Sequence, residues 1–505
     1  MVRSVARNAA ANVLQMLTGA ILLFVLYRYI STMLGVDKLG VWSVVLATAS
    51  ASRLADMGLS AGITRFVARD LALAQPKKAA QVVETGVVTL ALVVALVLAG
   101  VYPFLSRLLA HLFDTKYLSQ AVEILPFALI SLWLTIVASV AQSGLDGCQR
   151  MASRAVLVVV AQALMVLLAF ALVPQWGLVG LAWAQIGQGI FSLIGGWLVL
   201  RRGLPALSLL PWRWQRSIFR EMVGYGANVQ AANIAILLFD PLTKALMAKF
   251  GGPAAAGYFE IANQVVLRVR TLIVAANQAI VPSVAHMVEG APMRLPELYR
   301  ENIRILVLVA LPTYALLLVW GGLLSQLLLG GYQSQFVFFL QLTALAWFFN
   351  TFAGPAYFVN MGTGSVGLNT VSHVAMGTLN LLLGWVLGEM YGDGGVAWGY
   401  ALALMAGSVL LMTLFQMRHA IRWCELMPIE HLPLAAVCLA VSLFGLMGPD
   451  LVLADWNDYT RWGATLLLPL LSLLVALWLH PLRGVLWQWL WGVYARSTGD
   501  EENYD

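Results

Sequence analysis

The stretch ILLFVLYRYISTML, residues 21–34, carries one charged side chain, Arg28, in an otherwise apolar run. It is typical of the whole chain, since 61% of the 505 residues are hydrophobic and 11% are charged. An ordinary soluble domain is about 45–50% apolar and about 25% charged. Because about 20 consecutive apolar residues cross the hydrocarbon core as a helix, the sequence predicts an all-α polytopic membrane protein.

Apolar runs bounded by charged residues, Gly and Pro predict about 14 transmembrane helices. They lie near 10–34, 41–63, 82–104, 121–143, 155–174, 177–200, 224–248, 257–284, 304–324, 336–358, 366–388, 394–416, 432–448 and 461–479. Most of the 30 Lys and Arg residues fall in loops and tails on one side of these spans. An excess of Lys and Arg marks the cytoplasmic side, so we predict that both termini are cytoplasmic.

Two halves of the chain repeat one another. AANV at 10–13 matches GANV at 226–229, and GLVGLAWA at 177–184 matches DGGVAWGY at 393–400, at offsets of 215–217. A constant offset predicts two parallel six-helix lobes related by an axis along the membrane normal. We therefore predict an N-lobe at 1–200, a basic linker lying on the membrane surface at 201–222, a C-lobe at 223–417, two additional helices at 418–485 and a cytoplasmic tail at 486–505.

The repeat pairs the cations that lie inside predicted spans. Arg28 corresponds to Lys244, and Arg53 corresponds to Arg270, with Arg268 close by. A charge at mid-membrane costs at least about 2.5–3.5 kcal/mol, so such residues face a protein interior or a wet cavity rather than lipid. At a lobe interface, these cations would line one cationic cavity that binds an anion.

Structural explanations for the same cations stay open. Arg53 can pair with Asp56, and Lys244 with Asp240, as locally neutral pairs along a helix. Arg28 and Lys244 lie nearer the span ends and can extend toward the interface. Because Arg268 and Arg270 are two residues apart, they cannot both point into one cavity.

Several classes of function are disfavoured. The three cysteines are isolated, which predicts neither a disulfide framework nor a metal site. There is no phosphate-binding loop, no nucleophile elbow and no HExxH sequence, so ATP hydrolysis and other enzymatic chemistry are not expected, and no cofactor is predicted. In a membrane protein, the basic balance reflects topology rather than a nucleic-acid partner.

Residues 7–69 and 362–403 resemble the multidrug/oligosaccharidyl-lipid/polysaccharide exporter superfamily, and within it the Wzx-like polysaccharide flippases. The similarity is carried by LG at 39–40, GVW at 40–42 and DMGL at 56–59, and by GTGSVGLNTVSHVAMGTLNLLLGWVLGEMYGDGGVAWGYALA at 362–403. Spans 13 and 14 fit the members that carry two extra helices.

The resemblance implies two lobes that alternate access and move an undecaprenyl-diphosphate-linked oligosaccharide across a bacterial inner membrane, for O-antigen, capsule or exopolysaccharide assembly. Lipid II flippases of this superfamily carry cavity arginines on the first, second and eighth spans. The matching residues here are Arg28, Arg53 and Arg270, or Arg268 if the register shifts. Polysaccharide polymerase and chain-length proteins are the partners that such a role implies, together with membrane lipids.

The residues favour an anionic substrate over a cationic drug. A diphosphate is best bound by arginine forks, and cations outnumber acids at membrane depth. Neighbouring amides would supply a polar wall for the sugars: Asn228, Gln230, Asn233, Asn263, Gln264 and Asn277. Asp56, Asp240 or Glu260 would couple H⁺ or Na⁺ to transport. The alternatives are a cation-coupled multidrug antiporter and a non-transporting scaffold of a polysaccharide synthesis complex.

Overall fold

The computed structural model describes residues 2–50, 59–278, 295–363, 367–426, 429–447, 458–481 and 483–484, and the regular elements among them are helices. Within these ranges, the description leaves out the side chains of 2–13, 61, 224–238, 275–278, 424, 429, 458–459 and 461. The chain divides into two compact units, Met1–Gly257 and Tyr258–Asp505. The lobe limits predicted from the sequence stay predictions.

The first unit is a helix bundle in which the fifth helix contacts four of the others. Its described helices are α1 (Val2–Met33), α2 (Val36–Ser50), α3 (Leu59–Ala72), α4 (Pro76–Leu112), α5 (Thr115–Gly147) and α6 (Met151–Gly203). The unit also contains the first arm, residues 216–251, of the longer helix α7 (Arg216–Gln278). α5 packs against α2, α3, α4 and α6, and α1 packs against α6. α7 breaks at Gly252, where the backbone leaves helical angles.

The described part of the second unit contains the rest of α7 and six further α-helices. They are α8 (Leu295–Val319), α9 (Gly321–Leu329), α10 (Ser334–Gly362), α11 (Gly367–Arg418), α12 (Leu432–Met447) and α13 (Asp458–Leu479). Short 3₁₀ turns at Trp423–Glu425 and Ile429–His431 precede α12. α10 packs against α8 and α11, while α12 and α13 pack against α8. Apolar side chains, including Cys438, fill the contact between α8 and α12.

Eight of the described helices are long and apolar enough to cross a membrane. Two of them, α6 with 53 residues and α11 with 52, are more than twice the length of a single span. Each is two antiparallel arms joined at a glycine with positive φ, which is 55° at Gly177 and 64° at Gly392. Only glycine adopts such a backbone without strain. These findings confirm the predicted class, an all-α polytopic membrane protein.

The two hairpins match in detail at the offset of 215 that the sequence repeat predicts. Three residues after each break, a glycine lets the arms approach closely. A Cβ atom would lie 2.4 Å from the Leu172 carbonyl oxygen at Gly180, and 1.8 Å from the Leu387 carbonyl oxygen at Gly395. The shared sequence GxxGxAW therefore specifies the same tight reversal twice.

Residues 204–215 join α6 to α7 within the first unit. They form no regular helix and lie along α4, to which they are hydrogen-bonded. We call this segment the 204–215 strap. It is the central part of the basic linker predicted at 201–222.

Candidate functional site

Arg270 lies on the second arm of α7 and is held by two side chains of α10. Its Nη2 donates a hydrogen bond of 2.8 Å to the Asn350 Oδ1 atom, and its guanidinium carbon lies 4.6 Å from the centre of the Trp347 ring. Its Nε is buried and has no hydrogen-bond partner among the described residues. No carboxylate in the described part of the chain forms an ion pair with Arg270.

The hydrogen-bond acceptor of Arg270 is itself oriented by α11. Asn350 donates from Nδ2 to the Ser408 hydroxyl at 3.0 Å, and Ser408 donates to the Leu404 carbonyl oxygen at 2.7 Å. Asn350 and Ser408 each accept one hydrogen bond and donate the next one in the series. The amide oxygen of Asn350 is therefore fixed toward the guanidinium, as a preorganised binding residue requires.

The aromatic partner of Arg270 is anchored in the same way. The Trp347 indole donates to the Asn263 Oδ1 at 3.0 Å, and the Tyr400 hydroxyl donates to the same oxygen at 3.2 Å. Asn263 precedes Arg270 by two helical turns and therefore shares its face of α7. We refer to Asn263, Arg270, Trp347, Asn350, Tyr400 and Ser408 as the Arg270 cluster.

The Arg270 cluster surrounds a guanidinium, which stays protonated in proteins, with groups that do not neutralise it. Its neighbours compensate for desolvation with an amide oxygen and an aromatic face, neither of which carries a formal charge. A planar guanidinium held in this way retains N–H donors for two oxygens of an oxyanion such as phosphate. The site is therefore suited to an anion. Among the described residues, it holds no carboxylate that would favour a cation.

Lys244 and Asp240, on the first arm of α7, form the local pair that was left open above. The Lys244 Nζ lies 2.8 Å from Asp240 Oδ2, with side chains 8% and 44% exposed. The ammonium charge is thus largely neutralised by a residue one turn earlier. This geometry favours the structural explanation for Lys244.

The structure describes the other predicted cations less completely than Arg270 and Lys244. Arg28 is half-buried on α1, with its Nη1 lacking a hydrogen-bond partner in the part of the chain that the structure describes. Arg268 makes none of the contacts of the Arg270 cluster, as expected for a residue two positions away. Arg53 and Asp56 lie outside the described residues, so their roles stay predictions.

The predicted amide wall and coupling acids are described in part. Asn263 is 1% exposed and supports Trp347 and Tyr400. Glu260 is buried and accepts a hydrogen bond of 3.1 Å from the Gln264 amide. The side chains that lie outside the described part are those of Asn228, Gln230, Asn233 and Asn277. The role of all six amides as a sugar-binding wall stays a prediction.

Four members of the Arg270 cluster were not found from the sequence: Trp347, Asn350, Tyr400 and Ser408. Asn350 interrupts the apolar run FFNTF at 348–352, and a polar residue in the middle of a span is a signal that sequence analysis can use. Trp347 and Tyr400 give no such signal because aromatic residues are common throughout these spans.

Comparison with known proteins agrees with this architecture. A family model described as polysaccharide biosynthesis protein matches residues 30–338. A search of curated proteins by sequence finds no match. Among solved structures, one similar chain is the lipid II flippase MurJ in an inward closed conformation. It has a TM-score of 0.70 and 13% identity, and the match covers 93% of this chain and 97% of that chain.

Two transporters of another branch have the same fold. An inward-facing multidrug resistance MATE family transporter of the MOP superfamily has a TM-score of 0.68 and 14% identity, covering 82% of this chain and 98% of its own. A mutant of the Vibrio cholerae MATE transporter VcmN has a TM-score of 0.56 and 18% identity, covering 84% and 99%. At these identities the similarity establishes the fold.

Proposed function

The chain belongs to the polysaccharide biosynthesis protein family, and from that premise we propose that it is a flippase for undecaprenyl-diphosphate-linked oligosaccharide repeat units. It moves them across the bacterial inner membrane, from the cytoplasmic to the periplasmic leaflet, for surface polysaccharide assembly. The fold shared with the lipid II flippase MurJ and with MATE transporters supports this proposal.

The Arg270 cluster is the observation that carries the choice of substrate. A lipid-linked diphosphate leaves its tail in the bilayer, so that only the headgroup enters a protein cavity. Its phosphates require cations that are not already neutralised by a carboxylate, and Arg270 meets this requirement among the described residues. A transporter of organic cations would place an available carboxylate there instead.

The proposed cycle uses each group in a separate role. With the cavity open to the cytoplasm, Arg28, Arg53 and Arg270 bind the diphosphate, while amides on α7 contact the sugars. Rocking of the lobes then opens the cavity to the other leaflet. The chain makes and breaks no covalent bond.

Coupling to an ion gradient is a separate part of the proposal. Glu260 is a buried carboxylate on the same arm of α7 as Arg270, three residues before Asn263. Protonation of Glu260, or Na⁺ binding to it, would change the charge of that arm and bias the rocking step. A flipping rate that is independent of both the pH gradient and the Na⁺ gradient would contradict this part alone.

The test is export of polysaccharide by a strain in which this chain is the sole flippase. We expect Arg270→Ala to abolish export and to accumulate the undecaprenyl-linked repeat unit, with protein level and partner association unchanged. Lys249→Gln removes an exposed charge from α7 and serves as the matched control, with normal export. Normal export by Arg270→Ala would contradict the proposal and favour a scaffold role. Lowered accumulation of cationic dyes would favour a drug antiporter.

A further inference from the structure

The 204–215 strap is fixed to α4 by a buried carboxylate. Glu84 is fully buried, and its Oε1 accepts hydrogen bonds from the Ser208 backbone N–H at 3.0 Å and from the Ser208 hydroxyl at 2.6 Å. Its other oxygen accepts from the Arg213 backbone N–H at 3.1 Å. A buried carboxylate is costly unless it is hydrogen-bonded in this way. Glu84 and the strap therefore stabilise one another.

Two tryptophans add further attachment points. The Trp214 indole donates to the Thr89 hydroxyl at 3.1 Å, and the Trp197 indole on α6 donates to the Leu209 carbonyl oxygen at 2.9 Å. The strap is thus tied to two helices along its length. Its outward-facing side chains are held in a defined position rather than on a free loop.

The length of α4 indicates how deep the strap lies in a membrane. α4 has 37 residues and is therefore about 55 Å long, which exceeds the hydrocarbon thickness by about 25 Å. Centred in the membrane, it extends about 12 Å beyond the hydrocarbon at each end. Glu84 is eight residues from the first residue of α4, Pro76, or about 12 Å along the helix. In an α4 helix centred in the membrane, Glu84 and the strap attached to it would therefore lie at the boundary between water and hydrocarbon.

The outward face of the strap combines exposed apolar and basic side chains. Leu209, Leu210 and Trp212 are exposed, with Trp212 at 78%. Arg213 is exposed beside them, and residues 201–220 contain five arginines and no acidic residue. Apolar and aromatic side chains beside a basic cluster are typical of segments that bind an anionic membrane surface.

An open cavity of about 720 Å³ lies next to the end of the strap. Its lining includes Lys77, Lys78, Gln81, Gln215 and Ser217. Gln81 is one turn before Thr85 on α4, and the Thr85 hydroxyl accepts a hydrogen bond from the Gln215 backbone N–H at 3.3 Å. The cavity and the strap therefore share one face of α4. The space is large enough for a phospholipid headgroup. Its charged lining residues are two lysines and Glu221, and Glu221 is paired with Arg69.

We propose that the strap and this cavity form a binding site for anionic phospholipid of the surrounding leaflet. Leu209, Leu210 and Trp212 insert at the boundary of the acyl chains, while Lys77 and Arg213 bind the headgroup phosphate. The charge around the site favours an anionic headgroup over a zwitterionic one, because Lys77, Lys78 and Arg213 outnumber the one acidic residue of the cavity lining, Glu221, which is paired with Arg69. The proposal does not depend on which substrate the chain transports.

Native mass spectrometry of the purified, delipidated full chain tests the site. The protein is incubated with phosphatidylglycerol or with phosphatidylcholine of the same acyl chains. We expect the wild type to retain phosphatidylglycerol preferentially, and Lys77→Gln/Arg213→Gln to lose most of that preference. Arg418→Gln/Arg422→Gln removes two exposed charges elsewhere and should retain it. Equal retention of the two lipids by the wild type, or equal loss in both variants, would overturn the proposal.

A depth measurement provides an independent test. A spin label is attached through Trp212→Cys in a chain whose three native cysteines are replaced by serine, and the protein is placed in bilayers containing phosphatidylglycerol. Insertion predicts that the label is more accessible to oxygen than to a water-soluble nickel chelate. A label fully accessible to the chelate would overturn the proposal and favour a protein partner at this surface.

Discussion

The two arms of α7 carry cations in opposite electrostatic settings. On the first arm, Lys244 lies 2.8 Å from a carboxylate on the same helix. On the second arm, Arg270 contacts an amide oxygen and an aromatic ring from α10. The first arrangement cancels the charge, whereas the second stabilises it without cancelling it. The difference makes Arg270 the stronger candidate for binding an anion, because its partners leave its charge in place.

The largest expected effect on transport comes from giving Arg270 a carboxylate partner of the kind that Lys244 has. Asn350→Asp places a carboxylate at the position that now accepts a hydrogen bond from Nη2. The resulting ion pair would neutralise the guanidinium and weaken phosphate binding by about 10- to 150-fold, as expected for loss of about 1.5–3 kcal/mol from charged hydrogen bonds. Transport of lipid-linked substrate in proteoliposomes measures the loss.

Asn350→Ala is the control for that change. It removes the hydrogen-bond acceptor but adds no charge, so its transport rate should lie between those of the wild type and Asn350→Asp. If both variants lose the same activity, orientation of Arg270 matters and its net charge does not. That result would remove the distinction between the two arms.

A smaller effect is expected from weakening the aromatic contact. Trp347→Phe keeps a ring beneath Arg270 but reduces its cation–π attraction, at a cost of about 1 kcal/mol, or about fivefold in substrate affinity. Substrate titration of the transport rate should show the change mainly in the half-saturating concentration. Trp176→Phe, at an exposed tryptophan of α6, should leave that concentration unchanged.

Removing the acid of the neutral pair should affect stability more than transport. Asp240→Asn withdraws the carboxylate from the buried Lys244 ammonium, which should cost about 1–2 kcal/mol of stability because Asp240 is itself partly hydrated. A lower melting temperature in detergent, with a transport rate within twofold of wild type, is the expected result. A large loss of transport at unchanged stability would assign Asp240 a coupling role.

The smallest effect is expected at Lys244 itself. Lys244→Met replaces a buried ammonium with an apolar chain of similar length and leaves Asp240 in contact with water. Melting temperature and transport should both remain close to the wild-type values. If export fails in a folded Lys244→Met protein, Lys244 binds substrate, and the contrast with Arg270 is wrong.

The fold was largely predictable because its signals are local. Apolar length and the repeat are read from neighbouring residues, so the match of Gly180 with Gly395 appeared in the sequence, and the structure places both three residues after a chain reversal. The repeat and the all-helical class follow from such patterns. Family and fold comparisons agree with the predicted superfamily.

The candidate site was predictable only in part. The sequence predicted Arg270 as a cavity cation, which stays a prediction, and offered Asp240 as one of two explanations for Lys244, which the structure favours, because both inferences use spacing along one helix. It did not identify Asn350 or Trp347, which reach Arg270 from α10, some 80 residues further along the chain. Contacts of this kind depend on how helices pack, which residue spacing does not specify.

The single-residue reversals at Gly177 and Gly392 have a consequence for biogenesis. Each joins two membrane-crossing arms with no connecting segment between them. The first arm of such a pair cannot move far into the bilayer while the second arm is still in the translocon, because there is no loop between the arms that could span that distance. We therefore expect each pair to leave the translocon together, as one helical hairpin, and a reporter domain inserted at either glycine should block that exit.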